Sequence, residues 1–149
     1  MAVQTKVKTF DRTKRFQQNW EKGKKSVLYG FGSYCRVVAE RSIKKATAKK
    51  QTSLPGKPPL SHSGALKNNI LYEVDEKGES VVIGVRKLNT DYGDALVMLE
   101  HGGDTTRIIK LKLVPAHYPA RPFMKPAEKV TIEKKLPALI RKIPEHLRK

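Results

Sequence analysis

The stretch Ile70-Leu71-Tyr72-Glu73-Val74-Asp75-Glu76-Lys77-Gly78-Glu79-Ser80-Val81-Val82-Ile83-Gly84-Val85 decides the fold class. Its start alternates toward Asp75, its middle is a Glu-Lys-Gly-Glu turn, and its end is rich in β-branched residues. Together these predict an antiparallel hairpin. Immediately upstream, residues 65–69 suit a single helical turn, with Ser63 as a candidate cap. Before that, Q-T-S-L-P-G-K-P-P-L-S-H-S-G at 51–64 carries Pro55, Gly56, Pro58 and Pro59. Those punctuators predict a Pro-rich loop, expected to project from the body.

Further upstream, Phe16, Trp20, Val27, Phe31, Tyr34, Val38 and Ile43 step mainly by three and four, with Lys and Arg on the opposite side. That period predicts one long amphipathic helix over 11–50, with Asp11 as N-cap or first-turn acid. Gly23, Gly30 and Gly32 each cost about 1 kcal/mol relative to Ala in a helix interior and allow a kink between Gly23 and Gly32. A straight helix of that length extends roughly 60 Å, longer than a compact domain of this size needs. Part of it is therefore expected to pack on a neighbouring subunit.

Downstream of the hairpin, 94–101 has an Asp cap and a Gly-Gly stop and predicts a short helix. Residues 108–114 alternate, with Lys110 and Lys112 outward, and predict a third strand reaching Pro115. Residues 126–149 are helical in pattern but interrupted by Pro137 and Pro144, which predicts two short helices. No repeat is visible, and the element order gives a single α+β domain over 1–149 with a small antiparallel sheet. Its parts are a flexible basic arm (1–10), the long helix (11–50), the Pro-rich loop (51–64) and an α+β core with C-terminal helices (65–149).

Composition bounds what such a domain does. The 149 residues include 37 Leu, Ile, Val and Phe, a quarter of the chain, which is above the level at which high charge predicts disorder. Thirty-one Lys and Arg face 14 Asp and Glu, a net charge of +17 that makes polyanions the first candidate partners. Both ends are basic and the middle is mildly acidic. Cys35 is the sole cysteine, so an intramolecular disulfide and a Cys-based zinc site are excluded. No apolar run is long enough for a spanning helix or a secretory signal.

Few residues suggest catalysis. His62, His101, His117 and His146 show no metal-ligand spacing, so no metal or cofactor is expected. Glu100-His101-Gly102-Gly103-Asp104 joins an acid, an imidazole and a turn, but a helix cap with a dipole partner is the preferred reading. Ser61, His62 and Ser63 are neighbours in a loop, which does not make a triad. Gly30-Phe31-Gly32 lacks the Lys-Ser/Thr of a phosphate loop. An enzyme is not expected.

The lysines, among them Lys49, Lys50 and Lys57, read either as contacts to a phosphate backbone or as a solvated face opposite acidic protein. Trp20, Tyr29, Phe31 and Tyr34 interleave with lysines as stacking aromatics do, but their helical spacing favours core packing. Gly64 lets a loop turn closely into a helix, and Leu66 with Ile70 offers an apolar pair to the sheet. Arg121, between Ala120 and Pro122, can present its planar fork to a carboxylate, with Glu100 the candidate partner. Phe123 is expected to anchor the last helix. For Gly64, Leu66, Ile70, Glu100, Arg121 and Phe123 a structural staple and a subunit contact both stand.

Three segments, P-G-K-P-P-L-S-H-S-G-A-L-K-N-N-I (55–70), M-L-E-H-G-G (98–103) and Y-P-A-R-P-F-M-K-P-A (118–127), in this order and spacing resemble the tail-completion, or head-tail joining, family of long-tailed bacteriophages and related prophages. The resemblance covers roughly half the chain. It departs at Asn69, where Ser is usual, and at His101, where Phe is usual. It implies a non-enzymatic virion protein of the neck, assembled in the host cytoplasm into a homo-oligomeric ring, expected as a hexamer. Its implied partners are the tail-tube or tail-terminator protein, the head-closure or connector protein, and packaged DNA touched non-specifically in the channel. Two alternatives stand beside it. One is a tail terminator or head-closure role in the same connector; the other is a basic nucleic-acid-binding protein of the ribosomal sort.

Overall fold

The computed structural model describes residues 12–86, 95–109 and 112–147. The fold is α+β, organised around a 30-residue helix, α1 (Thr13–Ser42), about 45 Å long. The helix predicted to reach Lys50 ends at Ser42, where Ser42 Oγ donates to the Ala39 carbonyl at 2.7 Å and Ile43 turns extended. Asp11, the predicted cap, lies outside the described residues, as does the 1–10 arm. Arg12 occupies the cap position without a side-chain cap bond. No break interrupts α1 at its glycines, and at Gly30 and Gly32 close neighbours use the space they leave. A Cβ on Gly32 would stand 2.5 Å from Cδ2 of the Tyr72 ring, and one on Gly30 would stand 2.7 Å from Cδ2 of Leu139.

Beyond α1, strand β1 (Lys44–Lys45) runs parallel to β2 (Leu60–Ser61) and closes the intervening loop. Gly64, left-handed at φ 82°, holds the cap position of α2 (Ala65–Asn68) in place of the predicted Ser63. Ser61 and Ser63 assist, their hydroxyls accepting the N–H groups of Gly64 (2.9 Å) and Ala65 (3.3 Å). The predicted hairpin is present as β3 (Ile70–Val74) and β4 (Val81–Val85), in the register Ile70↔Val85 to Val74↔Val81. Asp75 accepts the N–H groups of Glu79 (2.7 Å) and Ser80 (3.0 Å), and Gly78 takes φ 69°.

Helix α3 (Ala95–His101) stops at Gly102, φ 73°, as its Gly-Gly signal predicts. Its Asp94 cap lies outside the described residues. The single strand predicted at 108–114 instead divides between two antiparallel strands, β5 (Gly103–Ile109) and β6 (Lys112–Tyr118), with Lys110 outside the described residues. Gly-Asp-Thr-Thr before it and Pro-Ala-His-Tyr after it lack the alternation that would have marked two strands. The described strands form three separate two-stranded sheets, not one. The C-terminal region holds three helices where two were predicted, α4 (Met124–Lys134), α5 (Leu136–Ile140) and α6 (Ile143–Leu147). Pro126, Pro137 and Pro144 all fall in first turns, where a missing N–H costs nothing.

Helix α1 packs on β3 and β4 and on α4, α5 and α6. The core where they meet is small: Cys35, Ala39, Ile43, Ile70, Phe123 and Ala127 are the buried apolar residues among those described, lined by Phe31, Val38, Leu66, Ile83, Val85 and Met124. The β5–β6 ribbon packs mainly on itself.

Candidate functional site

The three segments that carry the resemblance meet in one clasp. Glu100, at the end of α3, lies against the start of α4. Its Oε2 accepts the N–H groups of Phe123 (3.0 Å) and Met124 (3.1 Å), and its Oε1 accepts that of Lys125 (2.9 Å). A carboxylate from a distant element thus caps a helix whose own cap position, Phe123, offers no side-chain acceptor. Arg121 N–H donates to the Leu99 carbonyl at 2.6 Å, and its Nε–H donates to the Ser53 carbonyl at 3.1 Å. Gly56 N–H donates to the Ala120 carbonyl at 2.8 Å, so the Pro-rich loop is moored at 119–121 while Leu54 and Lys57 stay exposed. Gly102 is required here. A Cβ would stand 2.8 Å from the Ala120 nitrogen, on a backbone already left-handed.

The predicted Glu100–Arg121 pair is therefore corrected: both residues serve the clasp, but each bonds to backbone and not to the other. Phe123, expected to anchor the last helix, instead holds the start of α4, the first of the three C-terminal helices, and is 2% exposed beside Ile70 and Ala127. Leu66 packs on that cluster and Gly64 shapes the turn before it. Lys49, Lys50 and Lys57 are exposed along one segment, and none has an ion pair among the described residues.

Beside the clasp opens a cleft of about 400 Å³, floored by Phe31 and Cys35 of α1, Val81 and Ile83 of β4 and Met124 of α4. Glu100, His101, Lys125 and Glu128 form its rim. Burial pushes the Cys35 thiol up, reinforced by the Glu128 charge and opposed by a hydrogen bond with Thr131. At neutral pH it is a protonated core thiol and not a nucleophile. Nothing in the sequence marks this cleft, because its lining comes from four separated elements.

The first turns of α1 carry exposed side chains. Residues 12–18 are exposed, as are Phe16 (55%) and Trp20 (40%), which continue the core-facing stripe of the helix beyond its cover. The expectation of core packing is thus corrected for Trp20, and also for Tyr29, which is exposed. Phe31 does pack on the core, and Tyr34 lies under the Lys135 ammonium, 5.5 Å from its ring centroid. On another side of α1, Lys14, Gln17, Gln18, Glu21, Lys22 and Lys25 line a shallow depression of about 500 Å³. Lys25 Nζ donates to the Glu76 carbonyl at 2.9 Å, fastening the β3–β4 turn to the helix.

The histidines serve local structure. His62 Nε2 lies 3.0 Å from the Gln51 carbonyl, and His117 Nδ1 pairs with Asp104 at 2.7 Å across the β5–β6 ribbon. Asp104 thus meets His117 and not its sequence neighbour His101. The His146 side chain lies outside the described residues. Among the described residues no group of three or more His, Cys, Asp and Glu is placed to hold a metal ion, and no helix is long and apolar enough to cross a membrane. The chain matches no family model, no curated protein and no solved structure.

Proposed function

We propose that the protein is a structural subunit of the neck of a long-tailed bacteriophage, forming a hexameric ring at the head-proximal end of the tail and completing the tail for joining to the head. The observation that carries this reading is the clasp. Segments 53–56, 99–102 and 118–125, which overlap each of the three segments of the motif resemblance (55–70, 98–103 and 118–127), fold into one hydrogen-bonded unit although they are far apart in the chain. A motif set held together in space is under one structural demand. In the neck, that unit carries subunit geometry and not chemistry. Partners in this reading are the tail-tube or terminator protein below, the connector above, and DNA passing through the ring. Lys49, Lys50 and Lys57 approach that DNA, and the subunits enter the virion from the host cytoplasm.

The test is to mix the purified protein with tails that lack it and image the tube ends by negative stain, with mass measured by light scattering. A ring on the tube end is the expected result. A chain indifferent to tails overturns the proposal. Replacing Lys49, Lys50 and Lys57 together by Gln is expected to lower DNA retention in assembled particles, and unchanged retention removes the DNA contact. A second reading, a basic nucleic-acid-binding protein, is favoured by the exposure of Trp20 and Tyr29 on a lysine-rich helix. It predicts that monomer binds nucleic acid with an affinity that falls steeply with salt.

A further inference from the structure

We infer that copies of this chain join head to tail, with the exposed first turns of α1, led by Phe16 and Trp20, seated in the apolar cleft of the next copy beneath Glu128. The inference rests on the ring-forming part of the proposed function and not on tail attachment.

Four observations carry it. Phe16 and Trp20, four residues apart on one helix face, are large aromatics 55% and 40% exposed, so the helix offers apolar surface to solvent there. The cleft is apolar in its floor, and its volume of about 400 Å³ falls in the range that accepts large apolar groups. The same copy cannot fill it. Trp20 and Phe31 sit on one unbroken helix, about 17 Å apart along its axis, so the overhang is held away from its own cleft.

Charge supplies the fourth observation and selects a second copy of this chain as the occupant. In a molecule of net charge +17 most surfaces repel one another. The cleft rim carries Glu100 and Glu128 against the single cation Lys125, and Glu128 is exposed and without an ion pair among the described residues. The overhang carries Arg12 beside Phe16, at the positive end of a helix dipole with no acidic residue in its first turn. The two surfaces are different patches of one molecule, so the contact is heterologous and propagates until a rotation closes it into a ring.

The experiment uses the full chain, without tails, in sedimentation velocity. An overhang variant carries Phe16→Asp and Trp20→Asp; a rim variant carries His101→Lys and Glu128→Lys. All four positions are exposed or half-exposed, and circular dichroism checks that each variant folds. The wild type is expected to assemble beyond dimer, and each variant to self-associate about tenfold more weakly or less. Mixed together, the two variants are expected to form a one-to-one dimer and nothing larger, because only one intact overhang then meets one intact cleft. A wild type that stays monomeric up to millimolar concentration, a variant that assembles like wild type, or a mixture that gives no dimer or goes beyond it overturns the contact. Ring decoration of tails by the overhang variant would leave the neck role standing while removing this contact. Assembly without tail binding would do the reverse.

Discussion

A single carboxylate at Glu100 satisfies three of the orphan N–H groups at the start of α4, and no neighbouring side chain duplicates that work. Glu100→Gln keeps the size but presents an amide N–H₂ toward donors, so it is expected to lower stability by about 2 kcal/mol and the thermal midpoint by roughly 5 °C. Thermal melting followed by circular dichroism measures it. Because Arg121 bonds to the Ser53 and Leu99 carbonyls, the double reversal Glu100→Arg with Arg121→Glu is expected to be no better than the worse single variant. Recovery in the double variant would restore the ion pair inferred from sequence. Residue types were legible before geometry was. Glu100, Arg121 and Phe123 stand out by pattern, but that a carboxylate reaches backbone and not the nearest guanidinium depends on where α3 ends relative to α4, which no local signal encodes.

Among the elements, α1 sets a test of propensity against packing. Ala for Gly in a helix interior is ordinarily worth about 1 kcal/mol of added stability. At Gly32 the added Cβ meets the flat, fixed Tyr72 ring at 2.5 Å, so Gly32→Ala is expected to destabilise. At Gly30 it meets only the end of the Leu139 side chain, which can turn away, so Gly30→Ala is expected to be near neutral or stabilising. Urea denaturation of the two variants compares them. The β3–β4 hairpin gives a pH test. Asp75 is held below the usual carboxylate range, first by the Ser80 backbone hydrogen bond, which outweighs the opposing desolvation, and then by the Glu79 and Gly78 backbones and the Lys25 charge. A depressed pKa contributes stability above the ordinary value near 3.8 and loses it as pH falls through the lower, folded value. The Glu79 and Ser80 amide resonances are therefore expected to shift in that acid window, and Asp75→Asn to abolish the shift. Elements with strong local signals were legible: the long period of α1, the β-branched run of β4, the Gly stop of α3. The β5–β6 ribbon was not, because Pro115 and the Gly-Asp-Thr-Thr run hide its alternation, and the end of α1 was not, because Lys44 to Lys50 carry helix-compatible residues past the true boundary.

For the whole molecule, the small core and the large positive charge point the same way. A buried core cluster of six residues makes a thin interior for a chain of this length, and a net charge of +17 repels itself in the compact state. Contacts between copies would add what one copy lacks, so the thermal midpoint is expected to rise with protein concentration. Melting curves over a hundredfold range of concentration would show it, and a constant midpoint marks a self-sufficient monomer. The fold class and the basic character were legible at this scale. The cleft was not, since its walls are gathered from α1, β4, α3 and α4. The clasp also has a use as an engineering joint. The chain leaves the body at Leu99 and Glu100 and returns at Arg121 and Phe123, and these posts are bonded to each other, so the β5–β6 ribbon between them is a closed outgrowth. Such a ribbon is a natural splice point: it can be trimmed by cross-strand pairs, or lengthened with an affinity tag or a foreign epitope inserted between β5 and β6, while the body beneath keeps its shape.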